Sequence, residues 1–120
     1  ATVPFLLTKA LFPVLKKSNS PRVAQISTMM SSIADNTSGG YYAYRSSKSA
    51  LNMLTKSLTI DHPTVSFALI HPGWVKTDMG GESAPTEIAE SVRGIWKVIS
   101  AMSLETSGQF VNFKGDALPW

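Results

Sequence analysis

The chain has 120 residues, 43% of them hydrophobic and 16% charged, which is enough for one packed globular domain and too few for two. Its net charge of +3 comes from scattered basic side chains, which argues against a nucleic-acid partner. The absence of cysteine excludes disulfides, thiolate metal sites and cysteine nucleophiles, and no apolar run is long enough to cross a membrane, so we expect a cytoplasmic protein without a membrane partner.

The first predicted helix covers residues 3 to 17, where apolar side chains recur at mostly helical spacing. Pro4 suits the first turn of this helix, because a proline there loses no hydrogen bond. Pro13 lies late in the pattern and should kink the helix or end it early. Since the sequence starts with Ala1 at the beginning of this helix, we expect that a preceding segment is missing.

The next predicted elements are a short strand from Arg22 to Ser27, a polar stretch from Thr28 to Gly40 and a long helix from about Tyr41 to Ile60. The apolar residues of this long helix recur at helical spacing and define an apolar side. They are Ala43, Ala50, Leu51, Leu54 and Leu58. The breaker sequence 61–63 should end the helix, because its last residue is a proline.

The second half of the chain continues the alternation of strand and helix. The run from Val65 to Ile70 is almost wholly apolar, as a strand buried on both faces requires. Residues 76–84 are predicted to be irregular, and a helix should begin near Thr86, whose side chain suits a cap. Gly108 to Phe113 forms the last predicted strand. Strands that alternate with long helices predict an α/β fold with a parallel sheet of about three strands and three helices.

Tyr44 and Lys48 are the residues in which the sequence concentrates chemistry. Four residues apart on a helix, the two side chains lie on one face and one turn apart. A nearby ammonium favours the phenolate form of a phenol, which makes such a phenol a useful proton donor and acceptor. An exposed helical pair of the same spacing arises often by chance, so the surrounding sequence has to decide between the two interpretations.

Three segments together resemble the short-chain dehydrogenase/reductase family, most closely its sniffer and C-factor type carbonyl reductases. They are Ile26–Thr28, Asn36–Asn52 and His71–Met79. The resemblance covers the whole chain, down to the ending Leu118–Trp120. It implies that residues 1–120 form the C-terminal half of a single Rossmann-like dinucleotide-binding domain.

The family's catalysis implies roles for a tyrosine, a lysine and a hydroxyl side chain. By this resemblance, Tyr44 protonates a carbonyl oxygen during reduction or takes the alcohol proton during oxidation, and Lys48 favours its phenolate form. Both residues also belong to the cofactor site, where Lys48 binds the nicotinamide ribose. The family pattern after the strand is Ile-Ser-Ser-x-x-Gly, in which the second serine polarises the substrate oxygen. Here Thr28 stands at that position and Ser31 replaces the glycine. Ser27 and Ser31 remain alternative hydroxyls, and a plain polar turn would show the same residues.

The resemblance also implies a binding site for NAD or NADP after the buried strand. Pro72 and Gly73 would shape the turn beside the nicotinamide. The backbone of Val75 would bind the carboxamide, and Thr77 would reach the carboxamide or the pyrophosphate. This location agrees with the rule that ligands bind beyond the carboxyl ends of parallel strands. Standing alone, the segment would be interpreted as an ordinary Pro-Gly turn.

A small carbonyl compound or alcohol is the substrate that the resemblance implies. Residues 78–84 would form the substrate loop, with Met79 on it. Met29, Met30 and Trp74 could line an apolar pocket for the substrate, although side chains of these types more often belong to the core.

The two histidines do not indicate a metal site. His62 and His71 each follow a predicted element, and neither has a second histidine at the spacing of metal ligands. Both are therefore expected to be structural turn residues, and no metal is predicted.

The glycine-rich turn that holds the cofactor pyrophosphate in this family belongs to the half that would precede Ala1. The eight glycines present form neither G-x-x-x-G-x-G nor G-x-G-x-x-G. Without that half the sheet should have an unpaired edge, and the isolated chain should bind cofactor weakly and be inactive. We expect pairing with the missing half or a homodimer.

Two hypotheses about function follow from these observations. The first is an NAD(P)-dependent oxidoreductase that transfers hydride between a nicotinamide cofactor and a small carbonyl compound or alcohol. The second is a non-catalytic fragment that acts as a signalling or dimerisation module, because the C-factor type of this family is associated with cell-to-cell signalling.

Overall fold

The computed structural model describes residues 1–120, and its strands and helices alternate in the predicted order. The elements are α1 (Thr2–Leu15), β1 (Arg22–Ile26), a short 3-10 turn (Met29–Ser31), α2 (Tyr42–Asp61), β2 (Ser66–His71), α3 (Ile88–Ala101) and β3 (Gln109–Asn112). The three strands form one parallel sheet, which confirms the predicted Rossmann-like α/β class. None of the three helices is both long enough and apolar enough to cross a membrane.

The sheet has the order β1-β2-β3, with β2 in the middle. Ile70 near the end of β2 lies opposite Ile26 of β1 on one side and Val111 of β3 on the other. The carboxyl ends of β1 and β2 therefore lie side by side. β1 pairs only with β2, so the other edge of β1 has unpaired backbone groups.

Successive residues of β2 point to opposite faces of the sheet, and each face has its own core. Phe67 and Leu69 pack on the side of α1 and α2, whereas Ala68 and Ile70 pack on the side of α3. The largest cluster on the α1 and α2 side consists of Phe12, Leu58, Val65 and Phe67. Because both faces of β2 are covered, its almost continuous apolar run is required.

The predicted apolar side of α2 is only partly the side that packs on the sheet. Leu51 and Leu58 are buried as expected, but Ala43 and Ala50 are exposed. The physical reason is that α2 turns polar residues towards the protein interior near the carboxyl end of β1. Small alanine side chains lose little when they remain in water, so they do not determine the orientation of the helix.

Two boundary predictions also need correction. α1 includes Pro13 and ends at Leu15, two residues before the predicted end at residue 17. Thr86 does not cap α3, because its backbone pairs in parallel with that of Val75 and Glu87 takes the cap position instead. Since Thr86 is held in this bridge, the helix begins only at Ile88, one residue later than a Thr86 cap requires.

Candidate functional site

One face of α2 lies against the carboxyl end of β1. The ammonium of Lys48 donates a hydrogen bond of 3.0 Å to the carbonyl oxygen of Ile26, the last residue of the strand. One turn earlier, the guanidinium of Arg45 donates to the carbonyl oxygen of Met30 at 3.2 Å. These contacts turn this part of α2 towards the strand ends, where ligands bind in parallel sheets.

Tyr44 precedes Lys48 by one helical turn, and its phenol remains open to solvent. The residue is 38% exposed, and its hydroxyl makes no hydrogen bond within the chain. An unengaged hydroxyl is free to donate to or accept from a bound molecule. Helical spacing directs Tyr44 to the same side of α2 as Lys48.

The three candidate hydroxyls at the end of β1 differ in what their protons do. Ser27 donates to the side-chain oxygen of Asn52 at 2.6 Å, and Ser31 donates to the backbone oxygen of Thr28 at 2.6 Å. Thr28 instead accepts a hydrogen bond, from the backbone N–H of Met30 at 3.2 Å. Since a hydroxyl has one proton, only that of Thr28 is not already donated within the chain.

Two side chains of this site, those of Asn52 and Arg45, are not among the residues predicted from the sequence. Both side chains contact the turn that follows β1, and Asn52 is almost fully buried. The available signal was the position of Asn52, next to the buried Leu51 on the inner side of an otherwise apolar pattern. A buried amide at such a position requires polar partners, and nearby serines were the obvious ones.

The turn after β2 requires a glycine. Gly73 has a φ of +87°, and a side chain there would place its first carbon 2.9 Å from the ring of Phe113. The carbonyl oxygen of Pro72 accepts a 2.6 Å hydrogen bond from the hydroxyl of Ser91 on α3. The predicted turn residues thus lie between Phe113, which follows β3, and Ser91 of α3.

Val75 pairs with Thr86 in a short parallel β-bridge, and this pairing leaves the N–H of Val75 without a hydrogen bond. Thr86 accepts from the N–H of Lys76 at 2.9 Å and donates to the carbonyl oxygen of Trp74 at 3.2 Å. The N–H of Val75 makes no hydrogen bond in the chain and points away from this bridge. An unpaired donor close to the end of β2 is available for a ligand.

The predicted substrate residues are mostly open to solvent. Trp74 is exposed, and its indole N–H donates to the carbonyl oxygen of Gly80 at 2.7 Å. Met79 is 88% exposed, and Met29 is half-buried in the 3-10 turn. The hydroxyl of Thr77 accepts from the N–H of Gly80 at 3.1 Å, so residues 77 to 80 form a tight turn.

The two histidines have different surroundings. The ring of His62 packs against that of Phe12, with the ring centres 3.9 Å apart and the planes tilted by 36°. His71 ends β2, and its Nδ1 is buried without a hydrogen-bond partner. Burial lowers the pKa of His71 from its usual value of 6.5, because desolvation disfavours the charged ring. No three acidic, histidine or cysteine side chains in the chain cluster as metal ligands would.

The lowered pKa of His71 predicts a loss of stability at mildly acid pH. Below about pH 6.5 the unfolded chain takes up a proton that the folded chain resists, so the free energy of unfolding should fall as the pH drops from about 6.5 towards the lowered pKa of His71. Denaturant unfolding at a series of pH values measures this slope. His71→Gln should remove the part of the slope near pH 6, whereas His62→Gln should retain it. Equal slopes in the unmodified protein and His71→Gln would contradict the assignment.

Sequence comparisons agree with the resemblance. A family model described as short chain dehydrogenase matches residues 1–88. The C-signal protein of Myxococcus xanthus is 44% identical over 119 residues, which cover 98% of this chain and 72% of that protein. The 1-hydroxy-2-glutathionyl-2-methyl-3-butene dehydrogenase of Rhodococcus sp. (strain AD45) is 35% identical, with 98% and 54% covered.

Solved structures agree with both the fold and the family resemblance. The carbonyl reductase Sniffer of D. melanogaster matches with a TM-score of 0.93 and 41% identity. An NADPH-bound carbonyl reductase from chicken fatty liver matches with a TM-score of 0.92 and 36% identity. Each comparison covers 100% of this chain and 54% of the other. The chain therefore spans about half the length of these reductases.

Proposed function

The chain belongs to the short-chain dehydrogenase family, and from that premise we propose that the natural protein containing this chain is an NAD- or NADP-dependent oxidoreductase. Its proposed substrate is a small carbonyl compound or alcohol. We further propose that residues 1–120 are the C-terminal half of one dinucleotide-binding domain. The observation that carries the proposal is the arrangement at the end of β1. There, Lys48 contacts the strand end and Thr28 retains an undonated proton.

In the reductive direction, Tyr44 donates its phenolic proton to the substrate oxygen, and the resulting phenolate lies one helical turn from the ammonium of Lys48. A positive charge on the same helical face stabilises the negative charge that develops on the phenol. The hydrogen bond from Lys48 to Ile26 fixes the ammonium at the strand end. In the oxidative direction the same phenolate accepts the alcohol proton.

Thr28 supplies the second hydrogen bond to the substrate oxygen. Its oxygen is held by the N–H of Met30, and its O–H is the only one of the three nearby hydroxyl protons that is not donated within the chain. A donor directed at an oxygen that gains negative charge stabilises the transition state more than the bound substrate. We therefore propose that a hydroxyl is required at this position.

The residues after β2 fit the nicotinamide end of a dinucleotide. The free N–H of Val75 suits a carboxamide oxygen, and the turn at Gly73 that leads to it is packed against the ring of Phe113. When bound, the nicotinamide supplies or accepts the hydride. The isolated 120-residue chain is proposed to be inactive, since its eight glycines form neither pattern of the family's glycine-rich turn.

Substitution of Thr28 tests the proposal directly in the natural protein. Thr28→Val keeps the shape of the side chain but removes the hydroxyl, and kcat for carbonyl reduction should fall by about 10²-fold. Thr28→Ser retains the hydroxyl and should keep kcat within about threefold. The measurement is the loss of NADH or NADPH absorbance in the presence of a reactive aldehyde or ketone. Equal kcat values for the two variants would refute the role of this hydroxyl.

A second candidate function is a signalling or dimerisation module without catalysis. Two observations favour it: the 44% identity to C-signal, and a row of exposed apolar side chains along α1. They are Val3, Leu6, Leu7, Leu11 and Val14. Such a row on a soluble surface is typical of a contact with another protein. Failure of the natural protein to oxidise either cofactor with any reactive carbonyl would favour this candidate.

A further inference from the structure

We propose that Asn52 is a positioning residue for the hydroxyl of Thr28 and acts through a buried network with Ser27 and Ser31. The inference rests on the proposed function, because it assigns the site a further working part. All four residues are more than nine-tenths buried. A buried polar group that loses its partner is costly, so a fully satisfied network permits few alternative conformations.

The network runs in one direction from hydroxyl to carbonyl. Ser27 donates to the amide oxygen of Asn52 at 2.6 Å, and the amide nitrogen of Asn52 donates to Ser31 at 2.7 Å. Ser31 in turn donates to the carbonyl oxygen of Thr28 at 2.6 Å. Ser31 stands where the family pattern has glycine, so this link depends on a side chain that the family motif does not include.

In this network the hydroxyl protons of Ser27 and Ser31 are both donated to other groups of the chain and are not available to a ligand. The turn is closed by the N–H of Ser31, which donates to the carbonyl oxygen of Thr28 at 3.0 Å. The hydroxyl oxygen of Thr28 accepts from the N–H of Met30, and its own proton is not donated within the chain. Asn52 therefore decides which hydroxyl of the cluster is available to a substrate and where that hydroxyl lies.

The network also ties this turn to the helix that carries Tyr44. Asn52 lies about two turns after Tyr44 on α2, and Ser49 of the same helix donates to the backbone oxygen of Ser31 at 2.7 Å. Two groups that bind one substrate oxygen must keep a fixed separation, and a misplacement of about 1 Å costs about 10²-fold in rate. Tying the turn that carries Thr28 to the helix that carries Tyr44 meets that requirement.

A double-mutant cycle in kcat separates positioning from a general effect on packing. Asn52→Ala should lower kcat about tenfold in the natural protein, with the KM for NADH or NADPH unchanged. In the Thr28→Val background the same change should lower kcat by less than about twofold, because the hydroxyl that it positions is gone. A drop of equal size in both backgrounds would overturn the proposal.

Thr55→Ala is the matched control. Thr55 is buried on the same helix one turn later, but its hydroxyl donates only to the carbonyl oxygen of Leu51. This variant should lose stability and keep kcat. If Asn52→Ala fails to fold, Ser31→Ala removes the link to Thr28 with a smaller change of volume, and the same non-additivity with Thr28→Val is expected.

Amide hydrogen exchange tests the network independently of turnover. The N–H groups of Met30 and Ser31 are bonded to Thr28, and their exchange should accelerate by about tenfold in Asn52→Ala but not in Thr55→Ala. Unchanged exchange in Asn52→Ala would overturn the positioning role even in a protein with normal turnover. Accelerated exchange in a protein that shows no turnover before mutation would instead count against the proposed function alone.

Discussion

Tyr44→Phe is expected to lower kcat of the natural protein by about 10²- to 10⁴-fold, while the dissociation constant of NADH or NADPH stays within about threefold. The change removes one oxygen atom from a side chain that makes no hydrogen bond within the chain, so the structure and the free energy of unfolding should stay the same. The loss then reports proton transfer alone. Stopped-flow reduction of an aldehyde and equilibrium nicotinamide fluorescence measure the two quantities separately.

Tyr42→Phe is the control for this experiment. Tyr42 lies two residues earlier on the same helix, is 82% exposed and undergoes the same chemical change. Because helical geometry turns it away from Lys48, its variant should retain normal turnover. Normal turnover in Tyr44→Phe, or an equal loss in both variants, would remove the basis for assigning proton transfer to Tyr44.

The order of helices and strands could be predicted because it depends on local signals. The apolar run of β2 and the Gly73 and Pro63 breakers act over a few residues, and the structure keeps the elements in the predicted order. The failed Thr86 cap shows the limit. Its backbone is engaged by Trp74 and Lys76, and a contact between segments that distant in sequence leaves no local pattern.

The candidate site likewise contains one part that local sequence predicts and one part that depends on contacts between distant segments. Tyr44 and Lys48 are neighbours through helical spacing alone, so the sequence could predict that they share a face. The choice among Ser27, Thr28 and Ser31 depends on where each proton goes, which a sequence does not contain. Asn52, on another element, accepts from Ser27 and donates to Ser31, and the inward polar face that it forms is also why Ala43 and Ala50 stay exposed.

Phe67→Ala is expected to lower the free energy of unfolding of the natural protein by about 3–5 kcal/mol. The Phe67 side chain is fully buried on β2 and joins Phe12 of α1 to Leu58 of α2 in one cluster. Removal of the ring opens a cavity between β2 and the helices α1 and α2. Because β2 is held in the sheet, the neighbouring side chains cannot move far enough to fill that cavity. Denaturant unfolding monitored by tryptophan fluorescence measures the change.

Phe5→Ala separates a cavity from a general loss of apolar surface. Phe5 packs on the edge of the same cluster and is only half-buried, so water can replace its ring and the loss should be about 1 kcal/mol. Phe67 pairs with Val23 in the sheet register, about 10 Å along β1 from Ile26 at the strand end. Folded Phe67→Ala protein should therefore keep kcat within about threefold. Equal losses of stability in Phe67→Ala and Phe5→Ala would contradict this account of the core. A large loss of kcat in Phe67→Ala would mean that the cluster also sets the position of α2 at the site.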